Sequence, residues 1–142
     1  MANVLTLGEI LLRLSTPTGT RVSTANQLDL NYGGTEANTA ISLSIFGHET
    51  TFVTRLPDHA LTLGMIRYVR GLEVNTDAII KGGKKVGSYF LDIGVGQRAS
   101  QVIYDRASSA FSEFTDDMLD LDVLLDGDAL DVLTHGAQIK RS

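Results

Sequence analysis

Tyr32-Gly33-Gly34-Thr35-Glu36-Ala37-Asn38-Thr39-Ala40 decides how this chain is read. Two glycines follow an extended polar segment, and a helical pattern starts directly after them. Thr35 stands where an N-cap would, and Glu36 falls in the first turn, where negative charge complements the helix dipole. Ala37, Ala40, Ile41, Leu43 and Ile45 supply apolar positions until Phe46-Gly47 stops the run, which predicts a helix over Thr35–Phe46. Glycine at a helix entrance lets a ligand approach bare N–H groups at the positive end of the dipole. A Gly-Gly pair by itself also fits a plain turn; Asn38, one turn into the helix, weighs against that.

Outward from this point, apolar runs and turn residues alternate. Val4–Leu14 reads as a strand interrupted at Gly8-Glu9, and Asn26–Asn31 as a half-exposed strand with Leu28 and Leu30 on one side. Thr51–Leu56 has the character of a buried strand. Pro57-Asp58 opens a second helix over Leu61–Leu72, and Val74–Ile80 follows as another strand. Lys81-Gly82-Gly83-Lys84 is a turn, after which Val86–Ile93 and Gln101–Arg106 flank Gly94-Val95-Gly96 as a hairpin. Thr115 is placed to cap a short acidic amphipathic helix running to Asp122. Strands alternating with helices predict a layered α/β core with a largely parallel sheet, and the extra strands a small sheet standing off it.

The hairpin carries a second chemical signal. Residues two apart share a strand face, so Val102, Tyr104 and Arg106 point together. A guanidinium fork grips a carboxylate bidentately, and a neighbouring tyrosine adds a hydrogen bond and a flat wall, which suits a sugar acid. The same pattern also fits an exposed face with a solvated arginine. Gly94-Val95-Gly96-Gln97-Arg98-Ala99 mimics a dinucleotide fingerprint but is followed by a strand pattern instead of the required helix, so it reads as a bend. His48, His59 and His135 are isolated, and no metal site is expected.

Composition sets the bounds. The chain has 142 residues, 43% of them hydrophobic, which suits one domain with a core. There is no cysteine, so disulfides and thiolate metal sites fall away. A net charge of −5 without a basic cluster argues against nucleic acid as partner. The start shows neither a charged leader nor a long apolar stretch, so a cytoplasmic location without membrane attachment is expected.

The pattern Gly-Gly-x-x-x-Asn-x-Ala at Gly33–Ala40 resembles the first signature of the ribokinase-like (PfkB-type) sugar kinases. Gly8-Glu9 after a short strand and the helix-Gly-strand step Phe46–Val53 agree with it. Val86-Gly87-Ser88-Tyr89-Phe90 followed by Gln101–Ala107 most resembles 2-keto-3-deoxygluconate kinases within that family. The resemblance covers about residues 3–126. It implies a ribokinase-like layered α/β sandwich with a mostly parallel central sheet. Residues 1–126 would form the N-terminal portion, with lid strands at about 26–31, 86–93 and 100–106, and residues 127–142 a divergent tail. The implied activity is ATP-dependent phosphorylation of a sugar acid. Gly33, Gly34 and Asn38 would hold sugar hydroxyls, and Tyr89, Tyr104 and Arg106 the carboxylate end.

Departures from the family pattern matter too. The later Gly-Ala-Gly-Asp motif, which supplies the general base and an anion-holding helix, is missing; Asp126-Gly127-Asp128 lacks its glycine spacing. ATP and Mg2+ are implied for the full-length family, but this chain is expected to bind neither well and to hold no catalytic residue. It looks like the N-terminal part of a longer kinase, ending in a truncated or altered frame. A homodimer through the lid sheet, or other self-association, is expected. A non-catalytic sugar-acid-binding or dimerising fragment, or another sugar or nucleoside kinase, are the alternatives. Thr62 and Glu73 occupy positions where the family commonly has glycine. If position 73 needs positive φ, glutamate there costs about 1 kcal/mol.

Overall fold

The computed structural model describes residues 3–120 and 130–133. Strand β1 (Asn3–Leu7) is followed by β2 (Leu11–Ser15), β3 (Asp29–Gly33), helix α1 (Thr35–Ile45), β4 (Glu49–Val53) and the short β5 (Arg55–Leu56). Helix α2 (Ala60–Gly71), the short β6 (Ile80–Lys81), β7 (Ser88–Asp92), β8 (Gln101–Asp105) and β9 (Leu130–Leu133) complete the order. The central sheet runs β4-β1-β9, all parallel. Val4 to Leu7 are buried without interruption, as expected of a parallel strand covered on both faces. Phe52 joins a core with Ala37, Ala40 and Ile41 of α1 and Met65 and Val69 of α2. Its neighbour Val53 points the other way, and with Leu5 and Leu7 packs against Phe111 and Phe114. Helices therefore cover one face and the 111–114 segment the other.

The lid is a four-stranded sheet in the order β3-β2-β7-β8, with β2 and β7 parallel and the outer pairs antiparallel. Its register stacks Asn31, Arg13, Tyr89 and Tyr104 in one row and Leu30, Leu14, Phe90 and Ile103 in the next, on the opposite face. The expected hairpin and stand-off sheet are present. The lid strand expected at 26–31 lies at Asp29–Gly33, because Gly33 pairs with Leu11 before the chain turns into α1.

Several local readings are corrected. Val4–Leu14 is two strands in two sheets: after β1, Gly8 N–H still bonds Val53 carbonyl at 3.1 Å, and the Gly8–Ile10 step then carries β2 into the lid. Thr35 is not the cap of α1. Gly34 takes that position at φ 146, its carbonyl accepting from Asn38 N–H at 2.9 Å, and Thr35 begins the helix. Thr51–Leu56 is divided between β4 and β5. Val74–Ile80 is not one strand: Asn75 bridges to Thr51, then its Oδ1 accepts from Asp77 N–H at 2.9 Å and turns the chain before β6. The acidic helix after Thr115 is a single 3-10 turn at Asp116–Met118, and Thr115 bonds the Asp117 carboxylate instead of a backbone N–H; its expected end at Asp122 lies outside the described residues. Leu130–Leu133, inside the segment read as a divergent tail, runs as a strand beside β1; Asp126-Gly127-Asp128 and His135 lie outside the described residues. Glu73 adopts φ 65, so the strain foreseen for a glutamate there is present. No helix among the described residues is long and apolar enough to cross a membrane.

The lid hairpin is stapled to the loop before β3 by Asp92. Its Oδ2 accepts from Val22 N–H at 3.2 Å and its Oδ1 from Arg98 Nη1 at 2.8 Å. The hydrogen bond from Arg98 holds the carboxyl below its usual range; burial opposes this, while the Val22 N–H and the charges of Arg98 and Arg21 add to it. The unfolded carboxyl titrates near ~3.9, so the staple contributes fully above about pH 4 and fades as pH falls through the lower folded value. Hydrogen exchange corrected for intrinsic rates should show the Val22 amide losing protection below about pH 4, before the β2–β7 ladder opens. In Asp92→Asn that protection should already be reduced at neutral pH; Val22 protection unchanged in Asp92→Asn would refute the staple.

Candidate functional site

The two glycines do different things. A Cβ on Gly33 would lie 2.7 Å from the Tyr89 hydroxyl oxygen, so glycine lets that phenol rest against the entrance of α1. Gly34 is confined twice: its φ of +146 disfavours any side chain, and a Cβ there would lie 2.4 Å from the Glu9 carbonyl oxygen. α1 has no side-chain cap, and the positive end of its dipole opens on the space in front of Gly34.

That space is a cavity of about 410 Å³ lined by Glu9, Leu11, Gly34, Thr35, Glu36, Asn38, Tyr89, Tyr104 and Arg106. Five of the residues named from sequence line it (Gly34, Asn38, Tyr89, Tyr104, Arg106), and Gly33 sits directly behind Tyr89. One wall is the start of α1 and the other the lid. Tyr89 and Tyr104 are cross-strand partners with ring centroids 5.7 Å apart. The Arg106 guanidinium carbon lies 5.9 Å from the centre of the Tyr104 ring. A larger hollow of about 540 Å³, between Asn75–Ile80 and Met118–Asp120, contains none of the sequence-named residues.

Sequence reasoning missed the carboxylates of this cavity. Glu9 is buried; its Oε1 accepts from Arg106 Nε at 3.0 Å and pairs with Nη2 at 3.0 Å, while its Oε2 accepts from Ser109 Oγ at 2.6 Å. Arg106 is therefore not the free guanidinium that strand alternation suggested. Glu36 is buried in the first turn of α1. The signal that could have found both is glycine: a Cβ on Gly8 would meet Glu36 Cδ at 2.3 Å, and one on Gly87 would meet Glu9 Oε2 at 2.6 Å. Arg13 shares the row of Tyr89 and Tyr104 and keeps Nε buried without a hydrogen-bond partner among the described residues. No cluster of His, Cys, Asp or Glu fit to hold a metal ion occurs among the described residues. The cavity thus offers N–H donors and an amide at one end, and a tyrosine pair with an arginine at the other. It suits a hydroxylated small molecule carrying an anionic end.

Known proteins share this fold. Residues 1–140 match the family described as pfkB family carbohydrate kinase. A 2-dehydro-3-deoxygalactonokinase of Haloferax volcanii is 32% identical over 128 residues, covering 90% of this chain and 40% of the relative. The crystal structure of a 2-dehydro-3-deoxygluconokinase of Thermotoga maritima superposes with a TM-score of 0.85 at 44% identity, covering 89% of this chain and 39% of that one. A PfkB family carbohydrate kinase of Listeria grayi gives 0.86 at 36% identity, covering 92% and 41%. The chain spans about 40% of the length of such relatives, and its fold is the ribokinase-like one that the sequence implied.

Gly33→Ala should push the Tyr89 ring out of the cavity wall and cost about 1–3 kcal/mol, the usual penalty of overpacking. Gly71→Ala, whose added methyl meets nothing within 4 Å, should be neutral or stabilising by up to about 1 kcal/mol. Urea unfolding midpoints of the two variants check this; equal midpoints would show that Tyr89 does not need the space.

Proposed function

The chain belongs to the pfkB family of carbohydrate kinases, and from that membership we propose that it carries the sugar-acid-binding half of a 2-keto-3-deoxygluconate kinase. The observation that carries this reading is the 410 Å³ cavity, where the start of α1 and the Tyr104–Arg106 segment of the lid face one ligand-sized space. In it, Gly34 and Asn38 hold sugar hydroxyls at the positive end of α1, while Gly33, read from the sequence for the same role, supports them from behind Tyr89. Tyr89, Tyr104 and Arg106 receive the carboxylate, the tyrosines as walls and hydroxyl donors and the arginine as counter-charge. The similarity to 2-dehydro-3-deoxygluconokinase and 2-dehydro-3-deoxygalactonokinase relatives supports the substrate class, because 2-keto-3-deoxygluconate is the 2-dehydro acid under another name.

Phosphoryl transfer depends on positioning and on charge stabilisation around the phosphates. We assign ATP, Mg2+ and the general base to the part of the full-length relatives that this chain does not cover, because the Glu9 carboxylate of the cavity is taken up by Arg106 and Ser109. Alone, the chain binds a sugar acid in the cytoplasm and does not turn over ATP. Calorimetric titration with 2-keto-3-deoxygluconate and its uncharged methyl ester tests the reading. The acid should bind more tightly, and Arg106→Ala should remove about ten- to a hundredfold of its affinity, the worth of a charged hydrogen bond. Arg106→Lys should recover little, because a point charge does not reproduce the fork. Equal affinity for acid and ester would refute the assignment.

A second observation favours self-association through the lid. Leu30 and Ile103, at the two ends of the row through Leu14 and Phe90, are 49% and 50% exposed. A four-stranded sheet with one apolar face open is a surface for a second copy. Sedimentation at tens of micromolar should show a dimer or larger species, and Ile103→Asp should shift it toward monomer; a clean wild-type monomer would count against the pairing.

A further inference from the structure

Glu9 stands in the step between β1 and β2, and its partner Arg106 is 97 residues further along the chain. A buried carboxylate is stable only where hydrogen bonds replace its water. Glu9 has them on both oxygens, from Arg106 at 3.0 Å and from Ser109 at 2.6 Å, and Gly87 leaves it the room. The main chain of the same residue abuts the other half of the site, where its carbonyl oxygen limits Gly34 to glycine. Arg106 by contrast follows β8, an edge strand exposed along its whole length, and its own side chain is 49% exposed. The strand sets the face on which it lies; the Tyr104 ring and the Glu9 carboxylate are the groups beside its guanidinium.

We propose that Glu9 is a positioning residue for the anion end of the site. It takes the Nε and Nη2 edge of Arg106 and leaves the Nη1 donors to the cavity, setting the distance between the guanidinium and the entrance of α1. The site then selects acids by chain length as well as by charge. This rests on the sugar-acid reading of the cavity, and the test separates the two.

The Nε–H group of Arg106 is followed by nitrogen-15 NMR of the whole chain, assigned by its disappearance in Arg106→Lys. A resolved, slowly exchanging signal in the wild type is expected, lost in Glu9→Ala and kept in Glu9→Gln, whose amide oxygen still accepts. A wild-type signal averaged like that of a free arginine, or one that survives Glu9→Ala, overturns the proposal. In parallel, Glu9→Ala should weaken 2-keto-3-deoxygluconate at least about tenfold and leave its methyl ester unchanged. An equal loss for both ligands marks Glu9 as a fold residue, and a gain for the acid marks it as a competitor for Arg106; either overturns the proposal. If Glu9→Ala does not fold, Glu9→Asp, one methylene too short to reach, takes its place with the same expectations. If the wild type does not prefer the acid to its ester, the sugar-acid reading falls, and the NMR comparison decides whether Glu9 holds Arg106.

Discussion

A buried glutamate paired with a half-exposed arginine joins the two parts of this molecule where its cavity lies. Core and lid are separate sheets, and the covalent links near the cavity are the Gly8–Ile10 step and the glycine pair before α1. Glu9 adds a non-covalent link, reaching from the core-side step to the residue that closes β8. Taking a carboxylate out of water is costly, and breaking such a pair by removing one partner is more costly still. The cost is offset by donors on both oxygens, and the arginine keeps part of its hydration. The pair is therefore better understood as fixing geometry than as adding stability.

The glycines follow from that geometry. Gly8, Gly34 and Gly87 are each limited by a carboxylate or carbonyl of the same small region: Glu36, the Glu9 carbonyl and the Glu9 side chain. Only Gly34 among them also needs positive φ. Gly33 belongs with them, since the phenol it admits forms the wall opposite the helix entrance. A methyl at any of these positions pushes a polar wall group into the space a ligand would take. Close packing of polar groups, more than backbone freedom, explains why this chain is glycine-rich around its cavity.

What was legible in the sequence was local and periodic. Helix α1, the hairpin and the shared face of Tyr104 and Arg106 follow from spacing alone, and two residues of the Gly-Gly-x-x-x-Asn-x-Ala pattern, Gly34 and Asn38, line the same cavity as that face. What escaped were features decided by contacts distant in sequence. Whether Val4–Leu14 is one strand or two depends on pairing with Val53 on one side and Gly33 on the other. The break after Asn75 needs an amide side chain to turn on its own backbone, which an apolar run conceals. Thr35 lost the cap to Gly34 because the helical ladder already begins at the Gly34 carbonyl, which accepts from Asn38 N–H. Glu9 itself was noted as part of a motif, but its role depends on a partner far along the chain, and no periodicity encodes that.

The central claim is that one ligand spans the cavity from the entrance of α1 to Arg106. A crystal structure of the chain with 2-keto-3-deoxygluconate tests it most directly. The account predicts sugar hydroxyls within hydrogen-bond distance of Gly34 and Asn38, and the carboxylate on Arg106 while Glu9 still holds the other edge of the guanidinium. A carboxylate bound at the α1 entrance, or a ligand seated elsewhere with Arg106 released from Glu9, would contradict it.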